Sequence, residues 1–83
     1  MKSNPRLNAA ILEVVQNQIE SNDPPETSQT LHRLMAEGYS PVEAKALVGS
    51  VVAAEVYYVM KEGTPFDINR FVAALHKLPV IHR

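Results

Sequence analysis

The sequence predicts an all-α fold, a compact bundle of about four helices whose third member is the longest and central. Three observations carry this. Pro5, Pro24 and Pro41 each follow a residue that favours a helix N-cap. Gly38 and Gly63 stand where segments should stop. Between these marks, apolar residues recur at helical spacing rather than in alternation. The helices are expected over about 5–21, 24–37, 41–62 and 68–78, in a single domain spanning 1–83.

The first helix opens on Asn4 as cap and Pro5 at its first position. Leu7, Ala10, Ile11, Val14, Val15 and Ile19 follow as its buried stripe. Leu12 lies off that stripe and is expected to widen the buried face, and Ser21-Asn22 ends the segment. Asp23 is the expected cap of the second helix, with Pro24 first and Glu26 reaching back in a capping box. That helix carries a narrow stripe of Leu31, Leu34 and Met35, and Gly38 closes it in the left-handed conformation.

Ser40 caps the third helix, with Glu43 as the reciprocal partner, so only Gly38-Tyr39 joins it to the second. This third segment is apolar nearly all round. Leu47, Val48, Val51, Val52 and Val59 lie on one side, and Ala46, Ala53, Val56 and Met60 on another. A helix apolar on every face belongs at the centre of a fold or at an interface. Ala46, Gly49, Ser50 and Ala53 are small and spaced to admit a second helix closely. Tyr57 and Tyr58 are expected as core and rim aromatics with wetted hydroxyls. Asp67 then caps a short last helix carrying Phe71, Val72, Leu75 and Leu78, which Pro79 stops; Val80 to Arg83 forms a tail.

Composition narrows the function. There is no cysteine among the 83 residues, which removes disulfides, thiolate metal sites and cysteine nucleophiles and fits a reducing compartment. Eight basic against nine acidic residues leave a net charge of −1, the opposite of the basic face that neutralises phosphates, so no nucleic acid is expected as partner. No apolar region follows the first residues, Met1 to Arg6, as a secretory signal would require. The longest apolar run, Ala46 to Ala54, is far short of the roughly 20 residues of a membrane span. A cytoplasmic protein without a membrane role is expected.

No side-chain set announces catalysis. His32, His76 and His82 share no ligand spacing, and a metal site needs three or four converging ligands. Ser50 sits mid-helix, without the sharp turn or nearby histidine that activates a nucleophile, and reads as a packing residue. Glu55 interrupts the apolar third helix. It is either a buried carboxylate serving as ligand or base, or a rim residue, or one paired with Arg33, Lys45 or Arg70. The paired or rim reading is favoured. Catalytic, cofactor-binding and metal-binding residues are therefore expected to be none, and no cofactor is implied.

Three family resemblances follow from particular segments. The corner His32 to Ser40 resembles a helix-turn-helix, and Gly38-Tyr39-Ser40 before Glu43-Ala44 is similar to the Gly-Phe-Ser turn of ubiquitin-associated domains. A DNA-reading third helix would present mainly Val, Ala and Lys45, which contact bases and phosphates poorly. A wider resemblance rests on Asn4-Pro5-Arg6-Leu7, Gln16-Asn17-Gln18-Ile19, Asn22-Asp23-Pro24-Pro25-Glu26, Leu34 to Gly38 and Val52 to Glu55. These resemble a small bacterial all-helical domain family of uncharacterised function, whose members carry two His-x-x-x-His pairs. The matching positions are Asn8, Leu12, Val42 and Ala46, none of them histidine, so the paired-imidazole metal role does not carry over. The resemblance implies that these two turns face each other. Leu12 and Val42 would then meet, directly or through a shared neighbour, in an apolar core with no stoichiometric metal.

The functional expectation is a non-catalytic interaction or assembly module, forming a homodimer or docking a protein partner through the third helix. A metal-binding or metal-dependent enzyme-like domain that has lost its ligands is the alternative, and a helix-turn-helix DNA binder is a third that charge opposes.

Overall fold

A computed structural model describes residues 5–79, with side chains from Ala9 onward. The expected roles of Asn4, Leu7, His82 and the tail, and the side chain of Asn8, lie outside the described residues. Four helices follow in order, α1 (Pro5–Ser21), α2 (Pro25–Ala36), α3 (Pro41–Glu62) and α4 (Ile68–Lys77). The class is all-α, with no strand among the described residues. α3 is the longest and touches each of the other three helices; α2 also touches the other three, whereas α1 and α4 do not meet among the described residues.

Helix ends follow the expected local chemistry at the starts of α3 and α4 and at the stops marked by Gly38 and Gly63. The Ser40 N–H donates to a Glu43 carboxylate oxygen at 2.9 Å, and the Glu43 N–H donates to Ser40 Oγ at 3.1 Å. This reciprocal box satisfies two donors that the first turn of α3 would leave unpaired. The Ser40 backbone N–H, and next its hydroxyl, hold the Glu43 carboxyl below its ordinary pKa. Asp67 accepts from the backbone N–H groups of Asn69 and Arg70 at the head of α4. Gly63 closes α3 at φ 66.

At the end of α2, the Tyr39 N–H donates to the Leu34 carbonyl and the Gly38 N–H to the Met35 carbonyl, both at 3.1 Å. With Gly38 at φ 108, this is a complete Schellman closure. A Cβ at Gly38 would meet nothing within 4 Å, so a substitution there changes the backbone energy alone. Gly38→Val should therefore cost roughly 1–2 kcal/mol, from a β-branched residue at positive φ. Gly38→Asn should cost less; equal thermal melts for wild type and the Val variant would show that the left-handed turn is not needed.

The start of α2 differs from expectation. Asp23 is not its cap: the N-cap is Pro24, which makes no side-chain cap bond, and the helix begins at Pro25. The reason lies in how α1 ends. Asn22 takes φ 52, its N–H donates to the Ile19 carbonyl, and the Asp23 N–H donates to the Gln18 carbonyl. Asn22 and Asp23 thus complete a Schellman closure of α1, which places Asp23 one residue too early to cap α2. α4 also stops one residue short of the expected 78, with Leu78 as its C-cap.

The core is formed by Val15 of α1, Leu31 and Leu34 of α2, Ala44, Val48, Val51 and Val52 of α3, and Phe71 and Leu75 of α4 with Leu78 just beyond it. Several expected core residues stay outside. Leu12 and Val14 are exposed, as are Ala10 and Met35, because α1 and α2 each turn a narrow face inward. In α2 that face is completed by Thr27 and Thr30, both buried. Thr27 Oγ1 donates to Gln18 Oε1 at 2.9 Å and ties α2 to α1. Arg33 ties α2 to α4 by donating to the Leu75 and Leu78 carbonyls at 3.1 and 2.9 Å, which satisfies acceptors at the end of that helix.

Candidate functional site

The candidate surface is the face of α3 that the other helices leave open. α1 crosses α3 at Gly49, where a Cβ would stand 3.3 Å from Ile11 Cγ2. A Cβ would be tight here, so the bare backbone of Gly49 eases the close approach of α1. The four small residues singled out in the sequence therefore divide. Gly49 is buried beneath α1, at the floor of an open cleft of about 350 Å³ that the more exposed Ala46, Ser50 and Ala53 also line and that Ile11 and Leu12 wall. The Ser50 hydroxyl donates back to the Leu47 carbonyl within its own helix, the ordinary packing role of a mid-helix serine.

A second groove follows from the missing contact between α1 and α4. These helices flank the C-terminal half of α3 without meeting, and the gap exposes an apolar floor of about 270 Å³. Val52, Val56, Val59 and Met60 contribute from α3, Val14 from α1, and Phe66 and Phe71 from the far side. Val42 and Met60, near the two ends of α3, are 78% and 79% exposed. Tyr57 and Tyr58 are both exposed, so neither is a core aromatic. Their rings meet edge-on at 6.0 Å, with Lys61 over Tyr57 and Arg70 over Tyr58.

Glu55 is buried, and it is paired with Arg70, one of the three cations considered. Arg70 Nε bridges both carboxylate oxygens, and a terminal nitrogen donates to Oε2 at 3.1 Å. This hydrogen-bonded pair raises the Arg70 pKa above its ordinary value. Arg33 and Lys45 are engaged elsewhere, Lys45 donating to Gln16 Oε1 at 3.3 Å. Both Glu55 oxygens accept from the guanidinium, so this carboxylate works as a tie between α3 and α4. A buried carboxylate left without that partner would be strongly disfavoured.

Two contacts, Ile11 with Gly49 and Gln16 with Lys45, advance along α1 as they retreat along α3. The helices are therefore antiparallel where they cross. Val42 lies towards the Gln16 end of that crossing, and position 8 lies towards the other. Leu12 and Ala46 share the open cleft, but Val42 is solvent-exposed, so the expected core meeting of Leu12 with Val42 does not occur. Exposed His32 and His76 remain on separate helices. Among the described residues, no three of His, Cys, Asp and Glu gather as a metal-ligand set. No described helix is long and apolar enough to cross a membrane. No protein-family model, curated protein or solved structure matches the chain.

Proposed function

We propose that the protein is a non-catalytic assembly module that self-associates through α3. The observation that carries this reading is the open apolar face of that helix, on which Val42, Tyr57 and Met60 are 78%, 57% and 79% exposed. Three large apolar side chains on one helix, beside two clefts with apolar walls, are more than scattered surface hydrophobics require. The engaged state of Glu55 supports a structural part for the carboxylate that interrupts the apolar middle of α3. Light scattering at micromolar concentration should give about twice the chain mass. A monomer at every concentration up to the millimolar range would overturn the proposal.

A further inference from the structure

We infer that a second copy of the chain docks with its α3 antiparallel to the first, the two-fold axis passing between Ser50 and Ala53. This rests on the assembly reading above and specifies its geometry. Ala46, Ser50, Ala53, Tyr57 and Met60 follow one another at intervals of four, three, four and three. That alternation keeps a seam on one side of a helix over its whole length. Each of the five is exposed or half-exposed, and the seam runs past the point where α1 covers Gly49.

The sizes along the seam are complementary to their own reversal. An antiparallel pairing centred between Ser50 and Ala53 sets Tyr57 of one copy against Ala46 of the other. It brings the small pair Ser50 and Ala53 together at the axis, where the backbones come closest. A parallel pairing would stack Tyr57 on Tyr57 and leave Ala46 facing Ala46, which gives a bulge and a void.

Charge selects the same direction. Glu43 lies one turn before Ala46, and Lys61 directly after Met60. In the antiparallel register each Glu43 stands beside Lys61 of the other copy, two opposite-charge contacts in all. The parallel register leaves Glu43 and Lys61 of the two copies about 27 Å apart along the helices, so neither finds its opposite charge. Val42 and the exposed Leu12 extend the seam at its edges and enlarge the apolar surface a second copy would cover. A two-fold contact of this kind is closed, so it ends at a dimer rather than a filament.

The absence of cysteine permits a direct test with single-cysteine variants, Val42→Cys and Met60→Cys, mixed and treated with a short bis-maleimide. The antiparallel register places position 42 of one chain opposite position 60 of the other. Two copies of position 42, or of position 60, then stand more than about 20 Å apart at 1.5 Å per residue. A product joining the two different variants, with little joining of like chains, is the expected result. In parallel, Ala53→Glu should weaken the dimer about 100-fold by facing like charges across the axis, with the helicity of the diluted monomer unchanged and the melting temperature no longer rising with protein concentration. Met35→Glu, on an exposed part of α2, should leave the dimer intact. A dimer that links like chains, or that ignores Ala53→Glu, would overturn this geometry while leaving self-association standing. A monomer would overturn both.

Discussion

Phe71→Ala is expected to lower the unfolding free energy by about 3–5 kcal/mol, the range for deleting a buried aromatic ring. Phe71 is the largest fully buried side chain among the described residues, at 1% exposure, and it is the main aromatic contribution of α4 to the core. For 83 residues the whole stability is on the order of 4–12 kcal/mol, so this one truncation should remove about a quarter of it or more. Relief by collapse is limited, since Phe71 sits between the Leu34 and Leu75 core and the groove floor. Its neighbour Phe66, 5.7 Å away between ring centres, is half-exposed and offers a control. Phe66→Ala should cost under about 1.5 kcal/mol. Urea unfolding of the two variants reads the difference. Comparable midpoints would mean that α4 does not close the core through Phe71.

The helical frame was legible because its punctuation is local. Ser40 with Glu43, Asp67, Gly38 and Gly63 each act within a few residues, and the structure uses all of them as a one-dimensional reading expects. At Asp23 two local rules compete. As an acidic residue before proline it looks like a cap, yet the closure of α1 around Asn22 claims its N–H first. Burial was less legible. The stripe Thr27, Thr30, Leu31, Leu34 has the i, i+3, i+4, i+7 spacing of a core face, but a threonine hydroxyl hides the pattern from any count of apolar letters. Once Gln18 satisfies Thr27, its methyl packs as any aliphatic group would.

The candidate surface was half legible. That α3 carries more apolar surface than three short helices can cover follows from its sequence. Which part stays open does not, because it depends on where α1 crosses and on the absence of contact between α1 and α4. The same geometry explains why Leu12, Val42 and Tyr57 stay outside the core: they are apolar, but tertiary packing decides which side of each helix is covered. Glu55 shows the converse. Three possible cations were visible in the sequence, and only the docking of α4 selects Arg70.

Gly49→Ile should destabilise the domain by about 1–3 kcal/mol, the cost of forcing added volume into a filled contact. Ile11 Cγ2 lies 3.3 Å from where the first added carbon would stand, with Leu12 Cδ2 at 4.0 Å, so a branched side chain must push α1 away from α3. Helix propensity acts in the opposite direction, since glycine is about 1 kcal/mol worse than alanine in a helix interior. Gly49→Ala sets these two effects against each other. Ile11 is half-buried and has room to yield by a few tenths of an ångström, so its melting temperature should stay close to wild type. The isoleucine variant adds a Cγ branch on top of that near-balance, and its melting temperature should fall clearly. Chemical denaturation of the pair separates backbone propensity from steric displacement. If Ile is tolerated as well as Ala, α1 does not cross at Gly49, and the division of α3 into a covered and an open face fails with it.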